Sequence, residues 1–167
     1  MRKFLTAAAA AAALATGAGA YAATATTSFQ VSATILKACT VTAGALNFGT
    51  YAAGSGALNV NSTINVNCTN STPFTVALNG GTTTGGKIAQ RLLANGTNTL
   101  QYNLYTSNTY ATVFGDGTAS SATISGTGVG LLTSSPVTVY GQLPDSAANQ
   151  TAVPGTYTDT ITVTVTY

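Results

Sequence analysis

Apolar and polar residues alternate along several short stretches of this chain. The clearest stretch ends the chain, and threonines separate most of its apolar residues: Tyr157, Ile161, Val163, Val165 and Tyr167. Earlier stretches show the same period of two, at Val60, Ile64, Val66 and Cys68, at Phe74, Val76 and Leu78, at Leu100, Tyr102 and Leu104, and at Val137 and Val139. Because alternate residues of a strand point to the same face, each stretch predicts a β-strand with one buried side.

Turn-forming residues separate these predicted strands. Clusters of Gly, Asn, Ser, Asp or Pro occupy residues 53–56, 79–81, 116–117 and 154–155. Several short strands with regular turn signals are typical of a β-sandwich, so we predict a single all-β domain. Within it, a single helical turn is expected only at residues 87–93. The Gly-, Ser- and Thr-rich segment from Ser120 to Ser135 predicts a long loop or a weak edge hairpin.

The first residues predict export. Arg2 and Lys3 precede an apolar run from Phe4 to Ala15, and small residues around Ala18 to Ala22 offer A-x-A cleavage sites. This layout is typical of a secretory signal peptide, which we place at residues 1–22. The alternative is an alanine-rich structural helix or a membrane anchor. However, the run is too short to span a bilayer, and no later stretch reaches the roughly 20 apolar residues that a spanning helix needs.

Without that leader, the chain has no net charge. Its basic and acidic residues are Lys37, Lys87 and Arg91 against Asp116, Asp145 and Asp159. Binding to nucleic acid needs clustered Lys and Arg, so no nucleic-acid partner is predicted. A net charge near zero favours self-association instead.

The residue types needed for most catalytic sites are missing. The chain has no His and no Glu, which excludes a Ser-His-Asp triad and leaves only three scattered aspartates for carboxylate chemistry. Residues 81–87 follow the start of a phosphate-binding loop, but Ile88 stands where a Ser or Thr should bind magnesium, so we interpret them as a Gly/Thr turn. We predict no enzyme activity, no metal and no cofactor.

The exported chain has two cysteines, Cys39 and Cys68. In an oxidising compartment they predict one disulfide, which would stabilise the fold by roughly 3–4 kcal/mol in the chain-entropy model. The alternatives are two free thiols or half of a metal site, which no histidine is present to complete.

The segment before the first cysteine, residues 23–37, is strand-like. Its apolar face consists of Phe29, Val31, Ala33 and Ile35. One interpretation is an ordinary first strand of the chain's own sandwich. The other is a strand that pairs with a different copy, where main-chain hydrogen bonds give affinity and alternate side chains fill pockets. The residues alone leave both open.

The order of certain residues resembles the spore coat protein U domain family, which includes the major subunits of archaic chaperone–usher pili. The matching positions are Cys39, Leu46, Phe48-Gly49, Tyr51, Ile64, Val66, Cys68-Thr69, Pro73-Phe74, Val76, Leu78, Arg91, Leu100, Tyr102-Asn103-Leu104-Tyr105, Gly115-Asp116-Gly117, Val139-Tyr140-Gly141, Gly155, Tyr157, Asp159-Thr160-Ile161, Val163, Val165 and Tyr167. The resemblance runs from about Phe29 to Tyr167. It departs at Phe114, where a tryptophan is expected in many relatives, and in the segment from Ser120 to Ser135.

This resemblance implies an incomplete immunoglobulin-like β-sandwich, residues 38–167, that lacks its last strand and is completed by a donor strand from a neighbouring subunit. Residues 23–37 become that donor strand, with Phe29, Val31, Ala33 and Ile35 as its apolar face. The acceptor edge, on which a chaperone would also pair, becomes Ile161, Val163, Val165 and Tyr167. The Cys39–Cys68 disulfide would tie the first strand to the second beside the acceptor groove.

The partners implied are further copies of the chain, a periplasmic chaperone and an outer-membrane usher. The expected product is a pilus at the cell surface that supports attachment or biofilm formation. Two alternatives stay open: a non-polymerising exported coat or matrix protein whose first strand completes its own sandwich, and a tip subunit that binds through its loops.

Overall fold

The computed structural model describes residues 22–167, so most of the predicted signal peptide, residues 1–22, lies outside the described residues. The described part holds eight strands and one short helix, in the order β1 Cys39–Ala43, β2 Leu58–Cys68, β3 Pro73–Leu78, β4 Arg91–Asn95, β5 Asn98–Tyr105, β6 Ile124–Thr127, β7 Ser135–Leu143, α1 Ala147–Gln150 and β8 Val163–Thr166. None of its helices is long and apolar enough to cross a membrane.

The strands form two antiparallel sheets. One has five strands in the order β1-β2-β7-β5-β4, and the other has three in the order β6-β3-β8. The inward faces of β2, β3, β5 and β7 make the core between the sheets, and their alternating residues are buried: Ile64, Val66, Cys68, Phe74, Val76, Leu78, Leu100, Tyr102, Leu104, Val137 and Val139. The predicted all-β class and these four strands are therefore confirmed, and the fold is an incomplete immunoglobulin-like sandwich.

The predicted disulfide is also confirmed. Cys39 of β1 and Cys68 of β2 are directly opposite in the antiparallel pair, and their sulfur atoms are bonded. We call this end of the sandwich the disulfide end. It also contains the start of β3 and the end of β8, because Thr166 pairs with Thr75. The opposite end, which we call the far end, contains residues 44–57 and 144–162.

The helical turn expected at residues 87–93 is wrong. The backbones of Lys87 and Gln90 exchange two hydrogen bonds of 2.9 Å in an isolated bridge, and β4 begins at Arg91. Arg91 is completely buried, and its guanidinium donates to groups on other segments. Such tertiary contacts outweigh a weak local helix preference. In the segment 120–135, β6 forms a single edge strand beside β3 and the rest of the segment before β7 is loop, so the segment lies at a sheet edge as predicted but forms no hairpin.

The last strand is shorter than the alternation predicted. Thr158 pairs with Ala94 at the edge of the five-stranded sheet, whereas β8 begins at Val163 in the other sheet. Between them, the side chain of Asp159 is anchored by the backbone of Thr82 and Thr83. Residues 158–163 therefore cross from one sheet to the other, and this crossing ends the continuous strand pattern.

The segment 23–37 forms no helix or strand in the structure. Its large apolar side chains are exposed, with exposed fractions of 86% for Phe29, 82% for Val31 and 88% for Ile35. Ala33 is exposed as well. The alternating face predicted for this segment is therefore not buried.

Candidate functional site: an open groove between the two sheets

The first and last strands of the sandwich are both edge strands. β1 pairs with β2 alone and β8 pairs with β3 alone among the described strands. The two lie near each other without being hydrogen-bonded together. β1 runs from the disulfide end to the far end, and β8 runs the opposite way. Each strand leaves one row of N–H and C=O groups without a strand partner, and such a row is a template for another strand.

A groove of about 320 Å3 separates β1 from the crossing segment and β8. Its floor is formed by core residues, including Ile64, Leu78, Tyr102, Leu104 and Val139. Its walls are half-buried apolar side chains: Leu46, Phe48, Leu93, Ile161 and Val163. We call this the strand groove. An extended peptide with alternating apolar side chains fits such a surface chemically, because it supplies both main-chain partners and apolar contacts.

A second, larger cavity continues from the strand groove at the far end. It measures about 750 Å3 and shares Leu46, Phe48, Leu93 and Asp159 with the groove. Its remaining lining includes Tyr51, Val153 and Tyr157. We call it the wide cavity. Together the two cavities leave one side of the core uncovered from the far end toward the disulfide end.

Asp159 stands where the two cavities meet. Its Oδ1 accepts hydrogen bonds from the backbone of Thr82 at 2.9 Å and Thr83 at 3.0 Å, and its Oδ2 accepts one from Tyr102 Oη at 2.7 Å. Partial burial acts to raise the pKa of Asp159, but the hydrogen bonds from Tyr102 and from the backbone outweigh it, so the pKa lies below its ordinary value. Burial is the largest cause that raises the pKa of Tyr102, and the hydrogen bond to Asp159 raises it further. Asp159 therefore stays ionised and holds the groove floor to the crossing segment.

The Gly/Thr turn at residues 81–87 binds the carboxylate of Asp159. Gly81 has a φ of +91°, and a Cβ atom there would collide with the carboxylate of Asp159. The backbone N–H groups of Thr82 and Thr83 in this turn therefore bind a carboxylate of the same chain. This agrees with its interpretation as a turn and explains why glycine is needed at the first position.

Arg91 fixes the other side of the groove floor. Its Nη1 donates to Asn103 Oδ1 at 2.6 Å, while Nη2 donates to the carbonyl oxygens of Asn79 at 2.7 Å and Phe114 at 2.8 Å. Burial lowers the pKa of Arg91, although nearby Tyr102 and the carboxylates of Asp159 and Asp116 oppose the shift. No local residue pattern indicates this role, because the acceptors are mainly carbonyl groups of other segments.

A set of hydrogen bonds around Asp145, which we call the clasp, holds Tyr51 at the wide cavity. Tyr51 Oη donates to Asp145 Oδ1, and the backbone N–H groups of Gly54 and Gly56 donate to the same carboxylate at 3.1 and 3.0 Å. The hydrogen bond from Tyr51 and those from the two glycines lower the pKa of Asp145 to about 2. The same bond to Asp145 is the main cause that raises the pKa of Tyr51 to about 12. The clasp joins the loop after β1 to the segment after β7.

The third carboxylate, that of Asp116, makes hydrogen bonds only within its own turn. Asp116 Oδ1 accepts from the backbone N–H of Thr118 at 2.9 Å and from its hydroxyl at 2.6 Å. These two bonds lower the pKa of Asp116. Within residues 22–167, no three metal-ligating side chains come together.

The structure brings together part of the predicted site. Ile161 and Val163 line the strand groove, and Val165 is half-buried against the core. Tyr167 lies beyond the end of β8 and is 53% exposed. Residue alternation did not single out Leu46, Phe48 and Leu93, because these wall residues lie in a loop or an irregular strand without a period of two.

A family model for the Spore Coat Protein U domain matches residues 25–164 of the chain. Among solved structures, the chain is similar to one in the crystal structure of the CsuC-CsuE chaperone-tip adhesion subunit pre-assembly complex from archaic chaperone-usher Csu pili of Acinetobacter baumannii, with 26% identity and a TM-score of 0.52. The match covers 80% of this chain and 40% of the other, so this chain spans less than half the length of the solved one. No curated protein is similar enough in sequence to count as a match.

Proposed function

The chain belongs to the Spore Coat Protein U domain family, a pilin-like family with a structural role, and on that basis we propose that it is a structural subunit of a chaperone–usher pilus. It polymerises by donor-strand exchange, in which the segment 23–37 of one copy fills the strand groove of the next. The fibre supports surface attachment or biofilm formation.

The observation that carries this proposal is the pairing of an uncovered groove with an uncovered strand-like segment in one chain. The groove has apolar walls and two strand edges without partners, and the segment has four exposed apolar side chains at a period of two. Each large apolar side chain that becomes buried contributes roughly 1.5–3 kcal/mol, and the added main-chain hydrogen bonds hold the strand in register. Filling the groove covers the apolar surface and both edges at once.

The orientation of the inserted strand separates exchange from self-completion. A strand that precedes β1 and folds back beside it would run antiparallel to β1, and therefore parallel to β8. It would need a tight turn at Leu36-Lys37, because Ala38 is already hydrogen-bonded to Thr69 at the start of β1. Two-residue hairpins favour Gly, Asn or Asp in the turn, and neither residue is one of these.

A strand from another copy has no such restriction. It can run antiparallel to β8, which is the more stable pairing, and so complete the three-stranded sheet. This argument favours polymerisation over the alternative of a non-polymerising exported coat or matrix protein whose first strand completes its own sandwich.

Before exchange, the groove needs temporary cover, because an exposed edge beside an apolar core is an aggregation hazard. A periplasmic chaperone supplies this cover by pairing with β8 around Val163 and Val165. An outer-membrane usher then joins the subunits into a fibre at the cell surface. Export after removal of residues 1–22 agrees with the Cys39–Cys68 disulfide, which belongs to an oxidising compartment.

The test replaces the apolar face of the segment without touching the domain. Val31→Asp with Ile35→Asp is expected to abolish the ladder of multimers that wild-type protein shows on unboiled SDS gels and loses on boiling. The buried charges would not be compensated in the groove. The matched control is Ser32→Asp with Thr34→Asp, which adds the same charge to the interleaved face and should keep the ladder. An unchanged ladder in the first variant, or a wild type that runs only as monomer, contradicts donor-strand exchange.

A further inference from the structure

One loop exposes apolar side chains that neither the core nor the groove uses. Residues 129–132 connect β6 to β7, and we call them the apolar loop. Leu132 is fully exposed, and Val129 and Leu131 are each about half exposed. The stretch from Val129 to Ser134 carries no charged residue. A cluster of exposed apolar residues is typical of a surface that contacts another molecule.

Backbone contacts attach this loop to the disulfide end. The N–H of Gly130 donates to the carbonyl of Cys68 at 3.0 Å, and the amide of Asn67 donates to the carbonyl of Leu131 at 3.2 Å. A Cβ atom on Gly128 would lie 2.5 Å from the Thr69 carbonyl oxygen. The apolar loop is therefore held in place beside the end of β2.

The same place is where the N-terminal segment joins the domain. The backbone N–H of Thr69 donates to the carbonyl of Ala38 at 2.9 Å, and Ala38 N–H donates to the Thr69 hydroxyl at 3.3 Å. Only Leu36 and Lys37 separate Ala38 from Ile35, so an extended chain spans about 10 Å between these two residues. When Ile35 is seated in another copy, the apolar loop must therefore lie close to that copy.

The direction of insertion determines which part of the other copy is near. A strand antiparallel to β8 has its C-terminal residue, Ile35, at the far end, where the wide cavity opens. The rim of this cavity is apolar and uncharged at Val153, which is half exposed, and at the partly buried Tyr157 and Phe48. The carboxylate of Asp159, which lines the cavity, is held by Thr82, Thr83 and Tyr102, and that of the nearby Asp145 is held by the clasp.

From these contacts we infer that the apolar loop packs against the rim of the wide cavity of the neighbouring copy, as a second subunit–subunit contact beside the inserted strand. The inference rests on the proposed donor-strand exchange. The contact joins different surfaces of the two copies, so it repeats along an open fibre and does not close into a ring.

A cross-link tests this contact in assembled fibres. Leu132→Cys with Val153→Cys is expected to form disulfides between neighbouring copies, so a covalent ladder survives boiling without reductant and collapses to monomer with reductant. Each single variant is the matched control and should give no such ladder. A heat-labile ladder without any covalent ladder overturns the contact but leaves donor-strand exchange intact. Loss of the heat-labile ladder from wild-type protein would instead contradict the proposed function.

A second variant avoids the risk that added thiols disturb the native disulfide. Leu131→Ser with Leu132→Ser is expected to leave the heat-labile ladder unchanged and to make the fibres more flexible, seen as a loss of persistence length in electron micrographs. Fibres of unchanged stiffness overturn the inference. Unchanged stiffness combined with lost binding to an apolar surface, such as polystyrene, would assign the loop to adhesion rather than to subunit contact.

Discussion

Two segments of this chain have the same alternating pattern but different environments. The first is Phe29–Ile35, whose large apolar residues are 82–88% exposed. The second is Ile161–Tyr167, where Ile161, Val163 and Val165 are half-buried against the core and β8 pairs with β3. A period of two specifies that a segment has one apolar face. It does not specify whether that face covers the core of its own domain or the core of another copy.

This difference also separates the roles of the two segments. The C-terminal segment belongs to the domain and supplies one wall of the groove, so changes there should affect folding first. The N-terminal segment is exposed, so changes there should affect assembly only. Three further predictions test this division and the two ends of the domain around it, in order of decreasing expected effect.

The largest effect is expected from Val163→Asp with Val165→Asp. These changes place charges against the core without partners, which should cost about 3 kcal/mol or more. Because a domain of this size is stable by only about 5–15 kcal/mol, the folded population should fall severely. Urea unfolding followed by circular dichroism measures the loss, in a Val31→Asp, Ile35→Asp background so that polymer does not contribute.

The matched control is Thr162→Asp with Thr164→Asp, which places the same charges on the exposed side of that segment. Its unfolding midpoint should stay close to that of the background. If the two pairs destabilise equally, the C-terminal segment is not part of the core, and the division between the two segments fails.

An intermediate effect is expected at the point where the N-terminal segment meets the domain. Cys39→Ser with Cys68→Ser removes a bridge across a sequence separation of 29 residues. The chain-entropy model predicts a loss of roughly 3–4 kcal/mol, which should lower the urea midpoint by about 1 M or more. Reductant should shift the wild type toward the variant and leave the variant unchanged. A wild type that is insensitive to reductant would contradict a structural role for the disulfide.

The smallest effect is expected from the clasp at the far end. The pKa of Asp145 is lowered from 3.8 to about 2, so its stabilising contribution is present above pH 3.8 and is lost as the pH falls through 2. The pKa of Tyr51 is raised from 10.0 to about 12, so its contribution is present below pH 10 and is lost as the pH rises through 12.

Unfolding midpoints measured across pH check this prediction. Asp145→Asn should reduce the acid-side dependence, to which Asp116 and Asp159 also contribute, and Tyr51→Phe should reduce the alkaline one, to which Tyr102 also contributes. Because both side chains are only partly buried and lie at the surface, we expect modest shifts in both variants. Parallel pH profiles for wild type and Asp145→Asn would show that the clasp does not stabilise the rim.

Much of the fold could be predicted from the sequence where burial alone determines the pattern. β2, β3, β5 and β7 follow the alternation of residues such as Val66 and Val76, because each has one face in the core. The disulfide followed from the count of cysteines and the predicted export. Ile161 and Val163 line the strand groove, and their role as an acceptor edge, which the family resemblance implied, stays a prediction.

The remaining features depend on contacts between distant segments. β4 was missed because Arg91 is buried by carbonyl groups of Asn79 and Phe114, which no local pattern reveals. The last strand was predicted too long because Asp159 turns inward to the loop at Thr82 and Thr83. Leu46 and Phe48 were singled out only by the family resemblance, because residues in a loop show no periodic pattern.

The three carboxylates have a consequence for the environments in which such a fibre can exist. Asp116, Asp145 and Asp159 all accept hydrogen bonds from neutral groups, and Arg91 is buried among carbonyl oxygens. If copies assemble as proposed, Lys37 is the charged residue nearest the inserted segment, and cohesion between copies would have little ionic component for dissolved salt to screen. A filament built in this way would hold together equally well in fresh water and in brine.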